Sequence, residues 1–175
     1  MKRLFLAGAL ALLPALGLAD PQVGEQPPVV KLEGKNGAKV DGSPWSSDQL
    51  KGKVHVMFYV DPDERTLNDH VADALKAQNF SREHYGSVAV INLAATWLPN
   101  GLIESSLEDK QKEFPDTTYV KDFKKVLVKQ WGVKDNTSNV LLFGPDGKLL
   151  FYRSDKLSDA DVQELIKTIK ANLPQ

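Results

Sequence analysis

The segment Asp61-Pro62-Asp63-Glu64-Arg65-Thr66 gathers three acids, a cation and a hydroxyl within six residues. Paired carboxylates such as Asp61 and Asp63 have the chemistry of a general acid and base. Asp61, Asp63 and Asp69 also suggest a calcium loop, but the spacing fails the EF-hand pattern. Its fifth and sixth positions would be Arg65 and Thr66, and its twelfth Ala72. A plainer role is helix capping: an aspartate cap, a proline at the first helical position and acids in the first turn. Thr66 with Asp69 offers a second cap in the same place. Arg65 is the one residue of the segment suited to an anion at a helix start, and it equally neutralises its acidic neighbours.

Other candidates are weaker. His55, His70 and His84 have no metal-ligand spacing, so no metal site and no cofactor is expected. His55 reads as a packing residue of a strand, and His70 as part of a wet helix face. Trp45, Trp97 and Trp131 read as core or loop anchors. Trp97-Leu98-Pro99-Asn100-Gly101 stands out because it follows a strand whose carboxyl end would face a ligand in an open α/β sheet. Cysteine is absent from the chain, which excludes disulfides, thiolate metal sites and thiol catalysis by its own side chains.

The elements that must position these residues follow from periodicity. Val54-His55-Val56-Met57-Phe58-Tyr59-Val60 is apolar on both faces, the mark of a central strand covered on both sides. Leu67, Val71 and Leu75 recur at helical spacing to about Asn79, and Ser87 to Ala95 forms a second buried strand. Strand, helix, strand makes a βαβ unit with parallel strands. Glu104 to Phe114 reads as a helix with a Glu108–Lys112 pair, Thr117 to Val120 as β-prone, and Val126 to Trp131 as a short helix stopped by Gly132. Val140 to Phe143 and Lys148 to Arg153 flank the turn Pro145-Asp146-Gly147 as a hairpin. Ser158 with Asp161 caps a last helix striped by Val162, Leu165, Ile166, Ile169 and Leu173. Val29 to Leu32 and Lys39-Val40 suggest a small hairpin or two short edge strands, and Trp45 to Leu50 one helical turn. The order predicts an α/β fold, a three-layer sandwich with a mixed central sheet and helices on both faces.

Residues 1–19 have a basic start, an apolar run of about 15 residues from Leu4 to Leu18 and a small-x-small exit at Gly17-Leu18-Ala19. This predicts a signal peptide cleaved after Ala19, a periplasmic destination and no membrane attachment after cleavage. Residues 20–28, with Pro21, Pro27 and Pro28, then form an extended N-terminal arm, and 29–175 a single domain. With Lys2 and Arg3 removed, the formal charge moves from −1 to −3, without the basic excess that nucleic-acid binding needs. Hydrophobic residues at 42% suffice for a core.

The element order and the segments Phe114-Pro115, Trp131-Gly132-Val133 and Val140 to Lys148 resemble the thioredoxin fold, in the branch of thiol reductases and peroxiredoxins. With the signal peptide, Arg65-Thr66, Ser105-Ser106-Leu107-Glu108 and Lys112, the whole chain resembles the YtfJ family of periplasmic thioredoxin-like proteins, which has no established activity. The resemblance implies that redox cysteines would lie within 61–66 and that a cis-proline would stand near Ser138, beside Asn139. Neither is present. The implied protein is an exported, cysteine-free binding or interaction module for an unknown periplasmic protein or small ligand. Its contact rim would be Asp61, Asp63, Arg65, Thr66, Trp97, Ser138 and Asn139. The alternative is a cysteine-free enzyme using carboxylates or a metal at the same rim.

Overall fold

The computed structural model describes residues 20–174, so the expected signal peptide lies outside the described residues. The elements are β1 (Lys31–Leu32), β2 (Gly37–Lys39), β3 (Trp45–Ser46), β4 (Val54–Val60), α1 (Asp69–Ala77), β5 (Tyr85–Asn92), α2 (Asn100–Glu113), β6 (Thr117–Asp122), α3 (Val126–Trp131), β7 (Ser138–Phe143), β8 (Leu149–Ser154) and α4 (Asp159–Asn172). Six strands form one sheet in the order β2-β6-β5-β4-β7-β8. β4, β5 and β6 are parallel, while β7, β8 and β2 run against their neighbours.

Alternation along β4 divides the core. Met57 and Tyr59 join Val88, Val90, Val120, Leu141 and Phe143 on one face, beneath Leu127 and Trp131 of α3 and beneath Leu32, Trp45 and Leu50. Val54 and Val56 join Val140, Leu142 and Phe151 on the other, beneath Val71 and Leu75 of α1 and the stripe of α4. A strand apolar on both faces has to be covered twice, and this chain supplies a layer on each side. Ser158 and Asp161 form the expected capping box at the start of α4, and Leu157 and Val162 meet in the core beside it.

Three local expectations are corrected. Of the two expectations for β1 and β2, the hairpin is overturned and two short separate strands are found: β1 pairs with β3, because the Leu32–Trp45 register lets both side chains enter the same core. β2 instead extends the main sheet beside β6, where Gly37 is required: a Cβ there would collide with the Lys121 carbonyl. α2 begins at Asn100 despite Gly101, because Ile103 and Leu107, four apart, bury against Leu93. Lys112 pairs with Asp109 at 3.2 Å, not with Glu108, and both groups are exposed, so the pair contributes little.

The N-terminal arm lies on the domain. Gly24 N–H donates to the Leu149 carbonyl at 2.7 Å, and Leu149 N–H to the Glu25 carbonyl at 2.8 Å. The Trp131 indole N–H donates to the Pro28 carbonyl at 2.7 Å.

His55 is buried on β4, opposite Gly86 of β5. Its Nδ1 faces the carbonyls of Leu50 at 2.9 Å and Lys53 at 3.1 Å, so Nδ1 carries the proton. Burial holds its pKa below 6.5, although the two carbonyls oppose the shift. A group more acidic in the fold than in the free chain stabilises fully above its unfolded pKa. That stabilisation is lost as the pH falls below 6.5 towards the folded pKa. The His55 ring resonances should therefore titrate below 6.5 in an NMR pH series, and the urea midpoint should drop between pH 7 and 5. Titration of His55 at or above 6.5 would contradict this.

Candidate functional site

The candidate rim lies at the carboxyl ends of β4 and β5. Val60 is in register with Ile91 of β5 and with Ser138 of β7, so Asp61, Asn92 and Ser138 leave the sheet as neighbours. Asp61 N–H donates to the Thr137 carbonyl at 3.0 Å. The Asp61 carboxylate accepts the Asp63 N–H at 2.9 Å and caps a 3-10 turn at Pro62–Glu64, with Pro62 at its first position. Capping thus operates on this turn; α1 starts later, after Asn68, whose side chain does not cap it. Asp63, Glu64, Arg65 and Thr66 are exposed. Arg65 Nη1 reaches the Pro62 carbonyl at 3.4 Å. Thr66 borders an open cleft with His70, Lys156 and Ser158, where His70 Nε2 lies 3.0 Å from the Leu157 carbonyl.

Ser138 and Asn139 are buried, and their polar atoms hold the fold. Asn139 Nδ2 donates to the carbonyls of Lys134 at 2.8 Å and Tyr59 at 3.3 Å. Its Oδ1 accepts from Lys134 N–H at 3.0 Å and from the Tyr152 hydroxyl at 3.0 Å. Ser138 Oγ accepts from Asn68 Nδ2 at 3.1 Å. Asn68 also donates to the Asp155 carbonyl at 2.8 Å and accepts the Leu157 N–H at 3.0 Å, tying α1 to the β8–α4 connection. The Asp155 carboxylate binds Lys134 Nζ at 2.6 Å and Thr137 Oγ1 at 2.9 Å. These partners hold its pKa below the ordinary carboxylate value. Asn68 was not among the sequence candidates, since one asparagine at a helix start reads as an unremarkable cap.

A second polar group also escaped sequence reasoning. Tyr59, next to last in β4, and Asn92 and Asp122, the last residues of β5 and β6, lie on the α3 side of the sheet, following the alternation of Met57, Val90 and Val120. Asn92 and Asp122 are register partners. The Tyr59 hydroxyl donates to Asp122 Oδ2 at 3.2 Å, and the N–H groups of Lys124 and Leu127 donate to the same carboxylate at 3.0 and 3.2 Å. Asn92 Nδ2 donates to Asp135 Oδ1 at 3.0 Å, and Lys125 Nζ meets Asp135 Oδ2 at 2.6 Å. Burial, then the carboxylates of Asp122, Asp135 and Asp61, push the Tyr59 hydroxyl pKa far above its ordinary value.

Trp97 corrects the expectation of an anchor: it is 87% exposed, while Trp45 and Trp131 are buried. Leu102, in the first turns of α2, is 66% exposed. Leu98 between them packs inward beside Leu93 and Ile103 and fixes the segment to the domain. Among the described residues, no group of three or more His, Asp or Glu side chains is arranged to hold a metal ion.

The burial of Asn139 makes a direct prediction. Asn139→Ala strands several buried partners and should lower unfolding stability by about 2–4 kcal/mol in urea titrations. Arg65→Ala and Thr66→Ala should change it by less than about 0.5 kcal/mol. A neutral Asn139→Ala would refute the structural role given to that amide.

Known proteins agree with this fold. The solved structure of a thiol-disulfide isomerase from Corynebacterium glutamicum is similar at TM-score 0.59 with 16% identity, over 85% of this chain and 97% of that one. The exposed lipoprotein thioredoxin Etrx1 of Streptococcus pneumoniae is similar at TM-score 0.58 with 14% identity, over 82% and 99%. Identities this low establish the thioredoxin fold alone. An uncharacterized protein of Haemophilus influenzae is 27% identical over 129 residues, covering 72% of this chain and 70% of the relative. The uncharacterized protein YtfJ of Escherichia coli is 23% identical over 177 residues, covering 96% of each. A family described as bacterial protein of unknown function (YtfJ_HI0045) matches residues 28–172. The chain is therefore a member of the YtfJ family, with a thioredoxin-like fold and no cysteine.

Proposed function

We propose that this protein is an exported binding module that keeps the thioredoxin-like frame and uses its carboxyl-end rim for contact instead of thiol exchange. The observation that carries the reading is Trp97. A tryptophan with 87% of its surface in water, near Leu102 at 66%, stands in a segment that Leu98 packs against the domain, after the end of a parallel strand. Large aromatics supply much of the energy of protein contacts once desolvated, so one held out in solvent fits a partner. Asp61, Asp63, Arg65 and Thr66 form the polar border of the same rim, while Ser138 and Asn139 support it from within.

Export rests on the basic start, the apolar run and the small-x-small exit of residues 1–19. The partner in this reading is a periplasmic protein or small ligand; the acidic balance of the mature chain argues against nucleic acid, and no membrane attachment is expected once the signal peptide is cleaved. The enzymatic alternative through Asp61 and Asp63 has less support, because Asp61 is buried and occupied as a cap.

Cell fractionation should place the protein in the periplasm with Asp20 as its mature N-terminus. Crosslinking there should capture a partner on the wild type, and Trp97→Ala should reduce capture about tenfold with an unchanged urea midpoint. Undiminished capture by Trp97→Ala would remove this surface from the reading. Stabilisation by a divalent ion, abolished by Asp61→Asn, would favour the enzymatic alternative.

A further inference from the structure

The chain contains two asparagine–glycine steps, Asn36-Gly37 and Asn100-Gly101. A glycine after asparagine leaves its peptide nitrogen unshielded by a Cβ, so that nitrogen can attack the asparagine side-chain amide. Whether it does so in a folded protein depends on the freedom of the backbone around it. The two steps differ in that freedom.

Asn36-Gly37 is locked in the sheet. The Asn36 carbonyl accepts the Phe123 N–H at 3.0 Å, and Gly37 is buried in β2, in register with Asp122 of β6. The Lys121 backbone lies so close to Gly37 that even a Cβ would collide with it. Any rearranged main chain there has to break the β2–β6 pairing.

Asn100-Gly101 is open. Both residues are exposed, and they are the first two of α2. Pro99 precedes them, no side chain caps this helix, and its first turn holds no acid. The Gly101 N–H is one of the donors that a helix start leaves over, and it has no acceptor among the described residues. A Cβ added at Gly101 would meet nothing within 4 Å, so the main chain has room to move. Helical geometry keeps the nitrogen away from the amide carbon, so the first turn has to open before the attack. An uncapped helix end opens at low cost.

We propose that Asn100 is a modification site, deamidating without an enzyme in the folded protein while Asn36 is protected. The Gly101 nitrogen bonds to Asn100 Cγ, the Cγ–Nδ2 bond breaks, and Nδ2 leaves as ammonia with the proton of the Gly101 nitrogen. Water then opens the cyclic imide. Opening at the side-chain carbonyl gives aspartate; opening at the main-chain carbonyl gives isoaspartate, with the main chain rerouted through the side chain. Water is consumed, ammonia is released, and nothing is oxidised or reduced. Both products put a negative charge three residues beyond Trp97. The aspartate form also supplies the acid that the first turn of α2 lacks, where the helix dipole favours it. The exposed segment therefore exists in two charge forms, a property that holds whether or not Trp97 meets a partner.

The experiment incubates the purified protein at mildly alkaline pH, folded in buffer and unfolded in concentrated urea. Cleavage after glutamate places Asn36 in peptide 34–64 and Asn100 in peptide 84–104, and fragment masses locate each amide-to-acid change. In the folded protein Asn100 should react at least about tenfold faster than Asn36, and in urea the two rates should agree within about threefold. Gly101→Ala should slow the folded-state reaction at Asn100 at least about tenfold, because a Cβ then shields the nitrogen. Isoaspartate at position 100, recognised by an isoaspartyl methyltransferase, marks the imide route. Equal rates at the two steps in the folded protein, an Asn100 that reacts only in urea, or a reaction that Gly101→Ala leaves unchanged overturns the proposal.

Discussion

β4 has almost no surface of its own, Phe58 being its one partly exposed side chain. Its backbone is paired on both sides, with β5 and β7, and its side chains enter two separate cores. Within such a strand an ionised group would lose its hydration without a partner, so charge is confined to the positions beyond its ends. His55 obeys the same constraint by staying neutral and donating to two carbonyls. The polar chemistry of this protein is therefore concentrated where β4 and its parallel neighbours stop. That edge is also where an open sheet offers a crevice.

Which parts of this were readable in the sequence depended on the range of the interaction. β4, the β7–β8 turn and the capped α4 carry their signals within a few residues, and periodicity was enough to find them. The β1–β3 pairing, the supporting roles of Asn68 and Asn139, and the Asn92–Asp122 register join residues far apart in the chain. An isolated asparagine or aspartate has the same local signature in a loop as in a buried network, so these could not be told apart from composition. Trp97 shows the converse limit. Its neighbours Leu98 and Leu93 turn inward, and only the folded segment shows which of the apolar residues is left outside.

The missing cysteines acquire a structural meaning beside these networks. In a thioredoxin-like frame the end of the first central strand is commonly given to thiol chemistry, and the helix start there sharpens it. Here Asp61 caps a tight turn, and Ser138 is fixed by Asn68. The region is stiffened by short polar bonds between side chain and backbone. Under the proposed binding role, such a platform would keep its geometry on contact.

The N-terminal arm bears on how one edge of the sheet is covered. β8 is an edge strand, and exposed edges can recruit the strands of other chains. Gly24 and Glu25 occupy the N–H and carbonyl of Leu149, at the point where β8 leaves its hairpin turn. The residues immediately after the predicted cleavage point thus act as a bolt across an otherwise open seam. Cover at that end of the sheet edge is then supplied by arm residues that lie outside the core.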